Sequence, residues 1–171
     1  MSEGFHAALR AATAADHAAV DSAYGGFDLT DPDDYASFLT AHARALPAIE
    51  TALVTAGEIG FRPRAHLLAQ DLAALDLDMP APLPIAPPTS PAARAGMLYV
   101  IEGSRLGGGL LARQVPANLP SAYLSATHLS GEWRALLARL DGEADAAAWR
   151  AEAAESARAT FALYQQAAAT A

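Results

Sequence analysis

His17 and Arg10 stand seven residues apart in a stretch that reads as one helix. That spacing puts them on nearly the same azimuth and about 10.5 Å apart at 1.5 Å of rise per residue. An imidazole binds a metal and a guanidinium binds a carboxylate. One flat ligand with a metal centre and an acidic edge about 10 Å away would use both, and heme, with iron at its centre and propionates at one edge, has that layout. The other histidines, His6, His42, His66 and His128, form no His-Glu-x-x-His pattern. A di-iron bundle needs two Glu-x-x-His pairs, and only Glu3-Gly4-Phe5-His6 supplies one.

A second group of residues is conspicuous for lacking side chains. Gly103, Gly107, Gly108 and Gly109 fall in a helical pattern that opens at Ser90-Pro91 and runs through Met97, Tyr99, Val100 and Ile101. The pattern resumes with Leu110, Leu111 and Val115. Each helical glycine costs about 1 kcal/mol relative to alanine, in a chain that uses alanine freely. Such a cost calls for a kink, for tight helix packing, or for something that must approach the backbone. In one register Tyr99, Gly103, Gly107 and Leu110 share a face, which makes a bare floor for a flat ligand. The run Gly103-Ser104-Arg105-Leu106-Gly107-Gly108 has no Gly-Lys-Ser/Thr and no strand before it, so it is not a phosphate loop.

The elements that must position these residues are helices. The first is expected from about Ser2 to Tyr24, on Phe5, Leu9, Ala12, Ala19 and Val20, ended by Gly25-Gly26. The second starts with Asp31 as N-cap and Pro32 at the first position. It carries Tyr35, Phe38, Leu39, Leu46, Ile49, Leu53 and Val54 to a stop at Gly57, and Pro47 should kink or divide it. A third runs from about Arg64 to Leu75. Residues 79–91 are a proline-rich extended connector within one domain spanning 1–171, since neither flank looks able to form a core alone. The last helices are expected at about Gly131 to Leu140 and Asp145 to Ala168.

Composition agrees. A chain of 171 residues that is 53% hydrophobic, 7% aromatic and rich in alanine reads as a single all-α domain. The net charge is −8 and every basic residue is arginine, which argues against nucleic-acid and membrane partners. The absence of cysteine removes thiolate metal sites, iron–sulfur clusters and disulfides. With no signal-peptide pattern and no membrane span, a cytoplasmic location is expected.

Taken together, the segments resemble a known family. Leu9-Arg10-Ala11-Ala12-Thr13-Ala14-Ala15-Asp16-His17 resembles the proximal helix of heme oxygenases, in which a leucine and an Ala-Thr pair precede a histidine. Leu98-Tyr99-Val100-Ile101-Glu102-Gly103-Ser104-Arg105-Leu106-Gly107-Gly108 is similar to the distal-helix signature of the bacterial branch. Arg62-Pro63-Arg64-Ala65-His66-Leu67-Leu68-Ala69-Gln70-Asp71-Leu72 is similar to the helix between them. Order and spacing agree over nearly the whole chain, and the match is to the short bacterial enzymes, some of which make the biliverdin chromophore of bacteriophytochromes.

The resemblance implies an all-α bundle holding heme between a proximal N-terminal helix and a kinked, glycine-rich distal helix. It implies His17 as the iron ligand and Gly103, Ser104, Gly107 and Gly108 as the distal catalytic stretch. Ser104 stands where mammalian enzymes carry an aspartate. Arg10, Tyr99 and Arg158 are implied to face the propionates, with Thr13 and Phe161 completing the heme-binding set. Heme would be both cofactor and substrate, cleaved by dioxygen to biliverdin, carbon monoxide and ferrous iron. No nucleotide- or flavin-binding fingerprint occurs, so electrons would come from an external donor, a ferredoxin or a reductase, with a functional link to a bacteriophytochrome. A non-catalytic heme carrier or sensor would keep His17 and Arg10 without turnover, whereas the thiaminase-like enzymes of similar fold need a cysteine. Glu102, on another face than Gly103, is expected to pair with Arg62 or Arg64.

Overall fold

A computed structural model describes residues 4–143 and 146–171. It consists of α1 (Phe5–Ala12), α2 (Ala14–Tyr24), α3 (Pro32–Thr55), α4 (Ala65–Ala74), α5 (Pro91–Leu111), α6 (Ala122–Ser125), α7 (Glu132–Glu143) and α8 (Ala147–Ala169). A 3-10 turn, Ala112–Gln114, follows α5. The described residues contain no strand, and none of their helices is long and apolar enough to cross a membrane.

Two of these helices start where side chains replace missing backbone partners. The Asp31 carboxylate accepts from the backbone N–H of Asp33 and Asp34 at 3.0 Å, and Pro32 opens α3. The Ser90 hydroxyl accepts from Ala93 N–H at 3.0 Å ahead of Pro91. α8 is the central element, packing along α5 and also against α2 and α3. Its contact with α5 is close because Gly96 faces the Ala153 carbonyl, where an added Cβ would collide. That glycine is explained by the crossing with α8.

Four expectations need correction. The first helix is broken: α1 ends and α2 begins at Thr13, which is buried and whose hydroxyl donates to the Leu9 carbonyl at 2.9 Å. A side chain that bonds its own preceding turn competes with the ladder and bends the helix. The expected start at Ser2 lies outside the described residues. Pro47 does not divide α3, which continues to Thr55. Ala43, Ala45, Leu46 and Ile49 around it are fully buried, so packing holds the helix together across the lost donor. α5 runs without a break from Pro91 to Leu111 through all four glycines. α6 was not expected at all; Asp71, reaching from α4, accepts from Ala122 N–H at 3.0 Å and Tyr123 N–H at 2.8 Å and so starts it.

The ends of the last two helices shift slightly. α7 runs Glu132–Glu143, and the expected Asp145 start of α8 lies outside the described residues. The proline-rich connector has no regular structure between α4 and α5. Leu83 N–H donates to the Arg44 carbonyl at 2.7 Å and Leu83 and Ile85 pack on the core, which ties the connector to α3.

Candidate active site

The open face of α5 is bare. A Cβ on Gly107 would meet nothing within 4 Å, and one on Gly103 would meet only the Trp133 ring, at 3.9 Å. Leu106 and Leu110, on the same stretch of helix, are 53% and 63% exposed. Gly107 therefore packs against no other helix and Gly103 meets only the Trp133 ring of α7, and both border uncovered apolar side chains. Such a strip suits an apolar ligand lying on backbone. Gly108 differs: its Cβ position faces the Leu124 carbonyl at 3.4 Å, so it serves the contact with α6. Ser104 also turns inward. Its hydroxyl donates to the Ile101 carbonyl at 2.7 Å and accepts from Arg64 at 2.8 Å.

Packed on α8, as α5 is, α2 carries His17. The imidazole is exposed; its Nδ1 lies 3.0 Å from the Asp21 carboxylate, and its ring meets Phe161 of α8 edge-on at 5.7 Å. A carboxylate on one ring nitrogen fixes the tautomer and leaves the other nitrogen as a donor toward a metal. Arg10 of α1 is exposed and close enough to Tyr99 of α5 for its charge to act on the hydroxyl. Burial raises the Tyr99 pKa and Arg10 draws it back down. Arg10 thus lies within electrostatic range of Tyr99. The break at Thr13 replaces the straight-helix projection from Arg10 to His17. Arg158 binds the Ala12 carbonyl at 3.0 Å and lies 3.9 Å from Asp16, so it fastens α8 to the proximal break. Thr13 is committed to that break rather than turned to a ligand.

Behind the bare face, α5 is anchored by buried charges. Arg105 Nε donates to Glu102 at 3.0 Å, with the two side chains 1% and 9% exposed. Its guanidinium also donates to the carbonyls of Ala126 and Arg62. Glu102 therefore pairs with Arg105 and with His128 Nε2 at 2.9 Å, and not with Arg62 or Arg64 as the sequence suggested. The i,i+3 position on its own helix brings Arg105 within reach, while Arg62 is taken by Glu132 at 2.7 Å. Arg64 is buried; it donates to Ile101 and Ser104 and lies over the Tyr123 ring. Its backbone N–H donates to Glu50, which caps α4. His42 sits among Tyr24, Phe38, Tyr123 and Tyr164, and desolvation, helped by Arg64, pushes its pKa down to about 3.

Sequence reasoning missed His128, Trp133 and Glu50. Trp133, five residues after His128, was the available signal; Glu50 gave none, because its partners begin fourteen residues on. A cavity of about 390 Å³ is lined by Phe61, Arg62, Glu102, Glu132, Leu136 and Arg139, and neither His17 nor the bare glycines line it.

No protein-family model matches the chain. The fold is shared with a heme oxygenase from Neisseria meningitidis whose crystal structures hold NO and CO. The TM-score is 0.83 at 24% identity, over 99% of this chain and 92% of that one. In sequence, a heme oxygenase of Xanthomonas campestris pv. campestris (strain 8004) is 39% identical over 78% of this chain and 88% of its own length. That likeness places the chain in the heme oxygenase family.

Proposed function

We propose that the chain cleaves heme to biliverdin, carbon monoxide and ferrous iron, with His17 as the axial ligand and Gly103 and Gly107 as the distal floor. The observation that carries this reading is the openness of the floor: neither glycine is required by packing within the protein. The donor set supports it. His17 stands with one carboxylate on its Nδ1, and the described residues hold no cluster of three or more histidines and carboxylates for a bare ion. A single imidazole suits iron already held by a macrocycle.

Each residue then has a task. His17 would hold the heme iron through Nε2 while Asp21 holds Nδ1, and Phe161 keeps the ring from turning. Arg10 and Tyr99 grip the propionates, and Arg158 keeps α1 and α2 seated on α8 so that Arg10 and His17 stay aligned. The floor leaves room for dioxygen against backbone. Gly108 and Ser104 act from behind, Gly108 by admitting α6 and Ser104 by joining α5 to Arg64. Heme supplies the iron redox chemistry and the carbon oxidised. Electrons come from a ferredoxin or a reductase, and the biliverdin formed suits a bacteriophytochrome as acceptor. A cytoplasmic setting, where heme and reductant meet, completes the reading.

The test is incubation of the purified protein with hemin, reductant and oxygen. Loss of the Soret band and biliverdin on chromatography are expected; an unchanged Soret band would leave a heme carrier instead. His17→Ala should lose the normal ferric spectrum, and added imidazole should partly restore it. Normal binding and turnover by that variant would remove His17 from the site.

A further inference from the structure

The two bare glycines of α5 are not equivalent, and the difference bears on the heme-cleaving reading, on which this inference rests. The floor is open at Gly107 and bounded at Gly103 by Trp133, whose Cη2 lies 3.9 Å from the Cβ position. The indole is held from two sides. Its centroid lies 6.0 Å from the Tyr99 ring, tilted by 33°, and 5.6 Å from the His128 ring, tilted by 35°. His128 is fixed in turn, its Nε2 at 2.9 Å from Glu102, which accepts from Arg105. Consecutive residues of α5 thus have opposite tasks. Gly103 offers backbone on the open face, and Glu102 on the buried face anchors the ring system that ends that face.

We propose that Trp133 is the end stop of the heme slot and a determinant of which meso carbon is oxidised, with His128 and Glu102 as its positioning residues. The meso carbons of a porphyrin are related by in-plane rotation and are close in intrinsic reactivity, so the choice among them must come from the seat. Carboxylate grips such as Arg10 and Tyr99 fix one edge but allow the ring to slide and pivot on flexible propionate arms. A rigid indole against the rim opposes both movements, because it has few torsions of its own and both its neighbours are rings. The tie through His128 to Glu102 makes the stop part of α5, so floor and stop move together.

The experiment uses the full chain as wild type, Trp133→Ala, Trp133→Phe and His128→Gln, each loaded with hemin. The pattern of heme-methyl proton shifts in the ferric complex reports the seat without turnover. Isomer chromatography after a single turnover with ascorbate reports the carbon attacked. Trp133→Ala should split the methyl pattern into two seats and change the isomer ratio roughly tenfold. Trp133→Phe should do less, and His128→Gln should shift the ratio in the same direction as Trp133→Ala although it does not touch heme. An unchanged methyl pattern and isomer ratio in Trp133→Ala would overturn the proposal; should that variant not fold, Trp133→Leu decides in its place. A wild-type protein that keeps its Soret band under reductant and oxygen refutes heme cleavage instead, while the methyl pattern still decides whether Trp133 sets the seat.

Discussion

The two walls of the candidate site are held by different physics. On the proximal side the charges are at the surface: His17 is 62% exposed and its Asp21 partner 67%. Arg158 and Asp16 approach only to 3.9 Å with both partly in water. Pairs of this kind are worth about 0–1 kcal/mol. On the distal side Glu102 and Arg105 are almost wholly out of water, and Arg64 and Ser104 fasten the same helix from its next turn. The wall that carries His17 is therefore weakly fastened. The wall that carries the bare glycines is held by buried pairs. A ligand bound between them would order the first against the second.

The largest consequence of that contrast is in stability. Arg105→Ala leaves the Glu102 carboxylate buried beside only His128, and breaking a buried pair costs about 3–5 kcal/mol. For a chain of this size the melting temperature should fall by about 10 °C. Arg158→Ala on the proximal side should stay within about 1 kcal/mol. Denaturant unfolding of the ligand-free variants measures both. Similar losses for the two would erase the distinction between the walls.

The interior behind the distal wall should also be the part sensitive to acid. His42 has its pKa lowered to about 3, so the folded protein resists a proton that the unfolded chain accepts near 6.5. Its stability contribution is complete above 6.5 and falls as pH drops toward 3, by about 2–3 kcal/mol between pH 6.5 and 4.5. His128, lowered chiefly by burial, acts in the same direction. Burial raises Glu50 and Asp71, which act in the opposite direction as pH falls toward the ordinary carboxylate range. Comparison with His42→Phe isolates the term. The variant should be weaker at pH 7, because the Tyr123 hydroxyl loses its partner at 3.0 Å, yet flatter between 6.5 and 4.5. An equally steep profile in the variant would acquit His42.

The two walls also differed in how far the sequence disclosed them. The helices with local start signals, Asp31-Pro32 and Ser90-Pro91, were legible because a cap and its helix lie within a few residues. His17 and the glycines of α5 stood out for the same reason, as parts of short motifs. The break at Thr13 was not, since a threonine in a helical pattern becomes a bend only when its hydroxyl takes the Leu9 carbonyl. The distal anchors were not, because they tie Arg64 to Ser104 and Glu102 to His128 across tens of residues. Glu102 showed that it needed a partner, but its choice among Arg62, Arg64 and Arg105 depended on which guanidinium was already engaged. Nor could periodicity separate glycines that face a helix from glycines that face nothing.

That last separation yields the smallest effect, and it addresses the distal wall directly. Gly107 and Gly108 are neighbours in one helix and would gain equally in propensity from alanine, up to about 1 kcal/mol. Gly107→Ala should realise that gain in the ligand-free protein, because its new methyl meets nothing within 4 Å. Gly108→Ala must fit a methyl at 3.4 Å from the Leu124 carbonyl, so its gain is cancelled by a small shift of α6. With heme bound the order reverses. The Gly107 methyl would stand on the floor where dioxygen and ring must lie, so biliverdin formed per electron consumed should fall while binding through His17 persists. Gly108→Ala, acting away from that face, should keep its yield. Melting temperatures without heme and biliverdin yields with it check both halves. Should Gly107→Ala melt higher and yet turn over heme at full yield, the bare face of α5 is not where the reaction takes place.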